Sequence, residues 1–143
     1  MIMKTLKTIA AALLVVLSTS AFASDDTKSE KSNINYALKA YIDAVAHGKI
    51  SGLNEVMDKD VKFTSTRGQQ IVNHDKNQIL NSFKNLQDIE QNCKTEFSIV
   101  ESTPTQSVVK VTMKYEGFSK INYLNMSNTG KGWKIVSVAT SYI

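Results

Sequence analysis

The stretch SVVKVTMKYEGFSKINYLNMSNTGKGWKIVSVATSY, residues 107–142, decides the fold. Val109, Val111, Met113 and Tyr115 alternate with Val108, Lys110, Thr112 and Lys114, a period of two with one oily face and one mostly polar face. Gly117 and the run Asn128-Thr129-Gly130-Lys131-Gly132 are turn chemistry, so the stretch divides into strands over 107–116, 118–127 and 133–142. In the last strand, Trp133, Ile135, Ser137 and Ala139 share one face, and Lys134, Val136, Val138 and Thr140 share the other. Such a meander does not stand alone, because its apolar face needs a cover.

The cover lies upstream. Ile34, Leu38, Tyr41, Ile42 and Val45 fall at helical spacing and predict a helix over 33–46, capped by Ser32 or Asn33 and closed by His47-Gly48. A second, shorter helix is expected from Ser51, with Leu53, Val56 and Met57 as its buried side and Asp58-Lys59-Asp60 as its break. Val61-Lys62-Phe63-Thr64-Ser65 reads as a strand, Arg67-Gly68 as a turn, and 69–73 as a strand pairing back. Asp75 caps a third helix, with Gln78 as its capping-box partner and Ile79, Leu80, Phe83 and Leu86 as its oily face. A further strand follows over 93–103, and Pro104-Thr105 turns it into the meander. Helices come early and strands late, so the fold class is α+β, with three helices packed in a strongly curved, mostly antiparallel sheet.

Length allows one domain: the chain has 143 residues, of which 42% are hydrophobic and 21% charged. Residues 1–23 have the form of a secretory signal. Lys4 and Lys7 precede the apolar run Ile9-Ala-Ala-Ala-Leu-Leu-Val-Val-Leu, and Ala21-Phe22-Ala23 places small residues where a signal peptidase needs them. The run is too short for a bilayer core of ~30 Å, which takes roughly 20 residues. Cleavage after Ala23 is expected, with a periplasmic or secreted location and no membrane contact afterwards. Residues 24–32 contain no apolar side chain and read as a disordered leader before a domain over 33–143. Removing Lys4 and Lys7 takes the net charge from +4 to +2, which is no footprint for nucleic acid. Cys93 is the sole cysteine, so no internal disulfide forms, and it reads as a small hydrophobe at a strand start.

Three phrases resemble the nuclear transport factor 2-like superfamily, also called SnoaL-like or cystatin-like. They are Tyr41-Ile42-Asp43-Ala44-Val45-Ala46-His47-Gly48, then Asp60-Val61-Lys62-Phe63, then Gly132-Trp133-Lys134-Ile135-Val136. The chain looks most like the exported bacterial branch described as lumazine-binding. The resemblance implies an α+β cone with a pocket between helices and sheet. The meander is oily on both faces in places, as at Ile121, Tyr123, Leu124 and Met126; one face buries against the helices, and the resemblance implies homodimers that cover the other, outer face.

Ketosteroid isomerases of that superfamily use a pocket carboxylate as base and a first-helix tyrosine as oxyanion donor. Carried over, the tyrosine falls on Tyr41, the base on Ser65 and a second donor near Asn122. A serine hydroxyl does not act as a base near neutral pH without a neighbour to activate it. Other bases are Asp60, which reads as a helix-to-strand turn, and His74, a loop histidine beside the Asp75 cap. Asp43 is two residues past Tyr41 and so off its face. No spacing of His, Cys, Asp or Glu makes a metal site, and no glycine-rich phosphate loop precedes a helix. The expectation is a non-enzymatic exported domain, without cofactor or metal, that binds a small aromatic or apolar molecule through Tyr41, Phe63, Ser65, Asn122 and Tyr142. The rivals are an acid/base isomerase, cyclase or dehydratase using His74 or Asp60, and a dimeric protein-interaction module with no ligand.

Overall fold

Helix α1, Ile34–His47, starts where the Asn33 side chain accepts the Asn35 N–H at 2.9 Å and stops where Gly48 turns left-handed. Its stripe buries Ala37, Leu38, Tyr41 and Ala44, and Ile34, Ile42 and Val45 pack at the margin. The computed structural model describes residues 33–143. The signal expected over 1–23 and the leader expected over 24–32 lie outside the described residues.

Helix α2, Leu53–Val56, is shorter than the sequence suggests and has no side-chain cap. Ser51 does not open it, and Asp58-Lys59-Asp60 does not interrupt the chain after it. Strand β1, Met57–Arg67, begins at once and carries those residues within it. They are absorbed in a bulge: Met57 pairs with Ile135 and Lys62 with Ser137, and the acidic run bows out between. An Asx-type contact, Asp60 N–H to Asp58 Oδ2 at 3.0 Å, supports the bow. Strand β2, Gln70–His74, returns antiparallel to β1. Helix α3, Lys76–Lys84, opens with the Asp75–Gln78 capping box. Leu86 lies beyond its end and is exposed, so the oily face is Ile79, Leu80 and Phe83 alone.

Strands β3, Lys94–Ser102, β4, Gln106–Tyr115, β5, Phe118–Asn128, and β6, Trp133–Tyr142, complete one curved six-stranded sheet in the order β2-β1-β6-β5-β4-β3. All neighbours are antiparallel except β1 and β6, which run parallel. One face is covered by the helices. Val109, Val111, Leu124, Met126, Ile135 and Val138 meet Leu38 and Tyr41 there. Each such side chain stabilises the fold by about 1.5–3 kcal/mol through its burial.

Two faces differ from simple alternation. Ser137 pairs with Asn125 and Ile135 with Met126, so Val136 is an extra residue. That bulge turns Ile135 and Val138 to the same side, both buried, where a strict period of two would separate them. Phe97 alternates as a strand residue should, yet it is 43% exposed. It sits on β3, the sheet edge farthest from β1 and β2, and shares no core cluster with the helices.

Gly48 joins α1 to the loop after α3. Its φ is +67°, and a Cβ there would lie 2.6 Å from the Ile89 nitrogen and 2.7 Å from both the Asp88 nitrogen and the Leu86 oxygen. Gly68 has a φ of +62° with nothing within 4 Å of the same position. Gly68→Ala is expected to lose about 1–2 kcal/mol from the left-handed backbone alone. Gly48→Ala adds a backbone collision and is expected to lose at least about 1 kcal/mol more. Urea unfolding of both variants measures the difference, and equal losses would show that the loop yields freely.

A polar rung beneath the first helix

Strand register determines which side chains face α1. Phe63 on β1 pairs with Val138 on β6, Val138 with Leu124 on β5, and Leu124 with Val109 on β4. All four belong to the core cluster that holds Tyr41. Two residues along, the same face carries Ser65, Thr140, Asn122 and Val111 in one row. Two further along it carries Tyr142, Lys120 and Met113. The concave face therefore passes from an apolar rung to a polar rung and then to a mixed one.

Asn122 is the centre of the polar rung and is only 1% exposed. Its Oδ1 accepts the Thr140 hydroxyl at 2.7 Å. Its Nδ2 has only the Met113 sulfur at 3.9 Å, a weak acceptor. An amide nitrogen carries two hydrogens, so this group keeps donor capacity in a dry setting. Ser65 is half-buried at the β1 end of the rung.

Tyr41 is 1% exposed, and among the described residues nothing hydrogen-bonds its hydroxyl. Burial pushes its pKa far above the usual phenol value. Phe63 is buried at the margin of the apolar rung, and Tyr142 is 58% exposed at the far rung.

The two alternative bases lie together in a different place. His74 and Asp60 line a groove of about 830 Å³ with Lys59, Lys62, Asp75 and Lys76, and Tyr41 is not part of its wall. Asp60 is exposed and His74 half-buried. Lys76 donates to the Asn54 and Met57 carbonyls at 3.1 and 3.0 Å, tying α3 to the α2–β1 junction. Asp43 pairs with Lys39 at 2.8 Å on the outside of α1, and His47 bonds Glu90 at the closing end of that helix. Among the described residues no group of His, Cys, Asp and Glu could hold a metal ion.

Thr140 and Lys120 escaped the sequence reading. Thr140 was hidden by the Val136 bulge, which shifts the face of β6. Lys120 left a legible trace: it shares its alternation with Phe118, Asn122, Leu124 and Met126, a cation on an otherwise uncharged face.

Tyr41 makes stability depend on alkaline pH. The unfolded phenol ionises near about 10. The folded one stays neutral well beyond that, so above about 10 the unfolded chain holds fewer protons and stability falls as pH rises. The expected slope is up to about 1.4 kcal/mol per pH unit. Urea unfolding between pH 9 and 11, wild type against Tyr41→Phe, should show the steeper decline in the wild type. Parallel curves would mean that the phenol titrates as if in water.

Solved structures place this geometry in a known fold. The chain resembles an NTF2-like protein of unknown function from Silicibacter pomeroyi, with a TM-score of 0.64 at 12% identity over 82% of this chain and 99% of that one. It also resembles an NTF2-like protein of unknown function from Shewanella baltica, with a TM-score of 0.62 at 11% identity, covering 84% and 98%. A cystatin-like fold protein from Burkholderia xenovorans gives a TM-score of 0.60 at 13% identity, covering 82% and 94%. At such identities the likeness is one of fold alone. Comparison with curated protein sequences finds no match. The model of the family described as "Putative lumazine-binding" spans residues 29–139, from before α1 to the Thr140 rung, and the chain belongs to that family within the nuclear transport factor 2-like superfamily.

Proposed function

We propose that the chain is an exported, non-enzymatic domain that holds a small aromatic or largely apolar molecule between α1 and the concave sheet. The family itself suggests small-molecule binding. The observation that carries the finer reading is Asn122, a buried amide whose carbonyl is occupied by Thr140 while its nitrogen faces only a sulfur. A ring with a carbonyl or ring-nitrogen acceptor would complete it, and a buried donor left weakly paired is unfavourable by about 1–3 kcal/mol. Ser65, Thr140 and Asn122 do not ionise near neutrality, so the rung can orient a ligand but has no base to move a proton. Tyr41 adds a neutral phenol from above the apolar rung.

Export rests on the pattern of residues 1–23, and pairing of two copies rests on the outer face, where Tyr123 stays exposed. Protein recovered from the periplasm or medium is expected to begin at Ser24 and to run as a dimer in light scattering. A chain retaining residues 1–23 removes the export proposal, and a monomer removes the pairing.

The ligand reading is tested by thermal shift with pteridines, including lumazine, and naphthalene derivatives. At least one compound should raise Tm. A ligand at 100 times its Kd stabilises by about 2.7 kcal/mol. Asn122→Leu should weaken that compound at least tenfold with the apo Tm retained, and mass spectrometry should recover the compound unchanged. A screen with no stabiliser overturns the binding reading, and a converted compound overturns the non-enzymatic one.

A further inference from the structure

Beyond the polar rung, toward the Gly117 turn, Lys120 pairs with Met113 on one side and Tyr142 on the other. Phe118 follows it on the same face and stacks on Tyr115, ring centres 4.7 Å apart and planes 4° from parallel. Tyr142 lies across Phe118 at 6.4 Å, tilted by 43°. Cys93, just before β3, closes the cluster: its Sγ is 3.6 Å from the Thr95 hydroxyl, and Thr95 pairs with Met113. The Tyr115 hydroxyl donates to Gln91 Oε1 at 3.0 Å.

Lys120 is half-buried, and among the described residues it has no carboxylate in ion-pair reach. Its neighbours are the rings of Phe118 and Tyr142, the Met113 thioether and the Cys93 sulfur, and none of them is a carboxylate. Burial holds its ammonium below the usual lysine range, with the Cys93 sulfur as the opposing influence. Burial likewise pushes Tyr115 up to about 12, helped by Cys93 and Tyr142. A cation that has given up water without gaining a counter-charge is uncompensated. Phe118 and Tyr142 are 46% and 58% exposed beside it, so two rings stand open next to the unpaired charge.

We propose that this cluster is the anion-receiving end of the ligand site, in which Lys120 pairs with the carboxylate of an aromatic acid whose ring lies against Phe118 and Tyr142. The inference rests on the ligand-binding reading above and narrows it to a chemical class. One molecule then answers both unmet demands: its charge offsets the ammonium, and its ring covers the open aromatic faces. The opposite edge of that ring points along β5 to Asn122, two residues away on the same face.

The test uses 2-naphthoate and 2-naphthamide, which share a ring and differ in charge, titrated calorimetrically into the full mature chain. Naphthoate should bind at least tenfold tighter than naphthamide. Lys120→Met should abolish that preference by weakening naphthoate alone, and Lys120→Arg should keep it. Unchanged far-UV circular dichroism confirms that each variant folds. Equal binding of the two probes by the wild type, or a preference that survives Lys120→Met, overturns the inference. If both probes bind equally and both are lost in Asn122→Leu, the anion end is refuted while the ligand-binding reading stands. Binding of neither probe refutes the inference as well, and the wider thermal screen then decides whether the ligand reading falls with it.

Discussion

Phe63 stands beside Val138, and Ser65 beside Thr140, because β1 and β6 run parallel. That ladder joins the helical half of the chain to the meander. The meander has an apolar face that cannot remain in water, and the helices have an apolar stripe with the same need. Parallel pairing brings the two together, at the cost of closing a long loop between strands far apart in sequence. Both partners bulge at the join, β1 over 58–61 and β6 at Val136. Bulges increase local twist, and twist is what lets a sheet bend around a helix.

From that bend follows the gradient along the concave face. Nearest the centre of α1 the rung is apolar and packed, and a phenol there is held neutral by loss of solvent. One rung out, an amide, two hydroxyls and a valine share the row. Two rungs out, a lysine sits among aromatic rings. Each step exposes more surface and admits more charge, as the falling desolvation penalty requires. Asn122 and Lys120 are thus two stages of one trend: polar groups placed where water is scarce but not absent.

Much of this was legible in local chemistry. Asn33, Gly48 and the Asp75–Gln78 pair mark helix ends by hydrogen bonds within a few residues, and the structure forms each of them. The β4 alternation is visible for the same reason, since a regular strand needs only its own period. What stayed hidden depends on partners distant in sequence. Asp58-Lys59-Asp60 looks like a breaker, yet β6 holds the chain extended around it. Val136 looks like an ordinary strand residue until its pairing leaves it unopposed. Phe97 looks like core because it alternates correctly, but alternation does not say whether a helix lies overhead. At the site, Tyr41 and Asn122 could be named from the fold's resemblance, whereas Thr140 required the bulge and Lys120 required weighing one cation against its apolar neighbours.

Ser65 shows how little a scaffold must change to change its chemistry. A half-buried carboxylate at that end of the rung would have a raised pKa, which is the setting of a general base. A serine in the same place keeps the shape and a hydrogen bond while removing the ionisable group. The remaining rung then holds hydrogen-bonding groups and no base. The charge that does remain on this face, Lys120, is a cation set at the wide end, two residues from Asn122 along β5. A cation so placed would favour an acid over its neutral analogue, and the groups one rung in, Asn122, Thr140 and Ser65, neither gain nor lose a proton near neutrality.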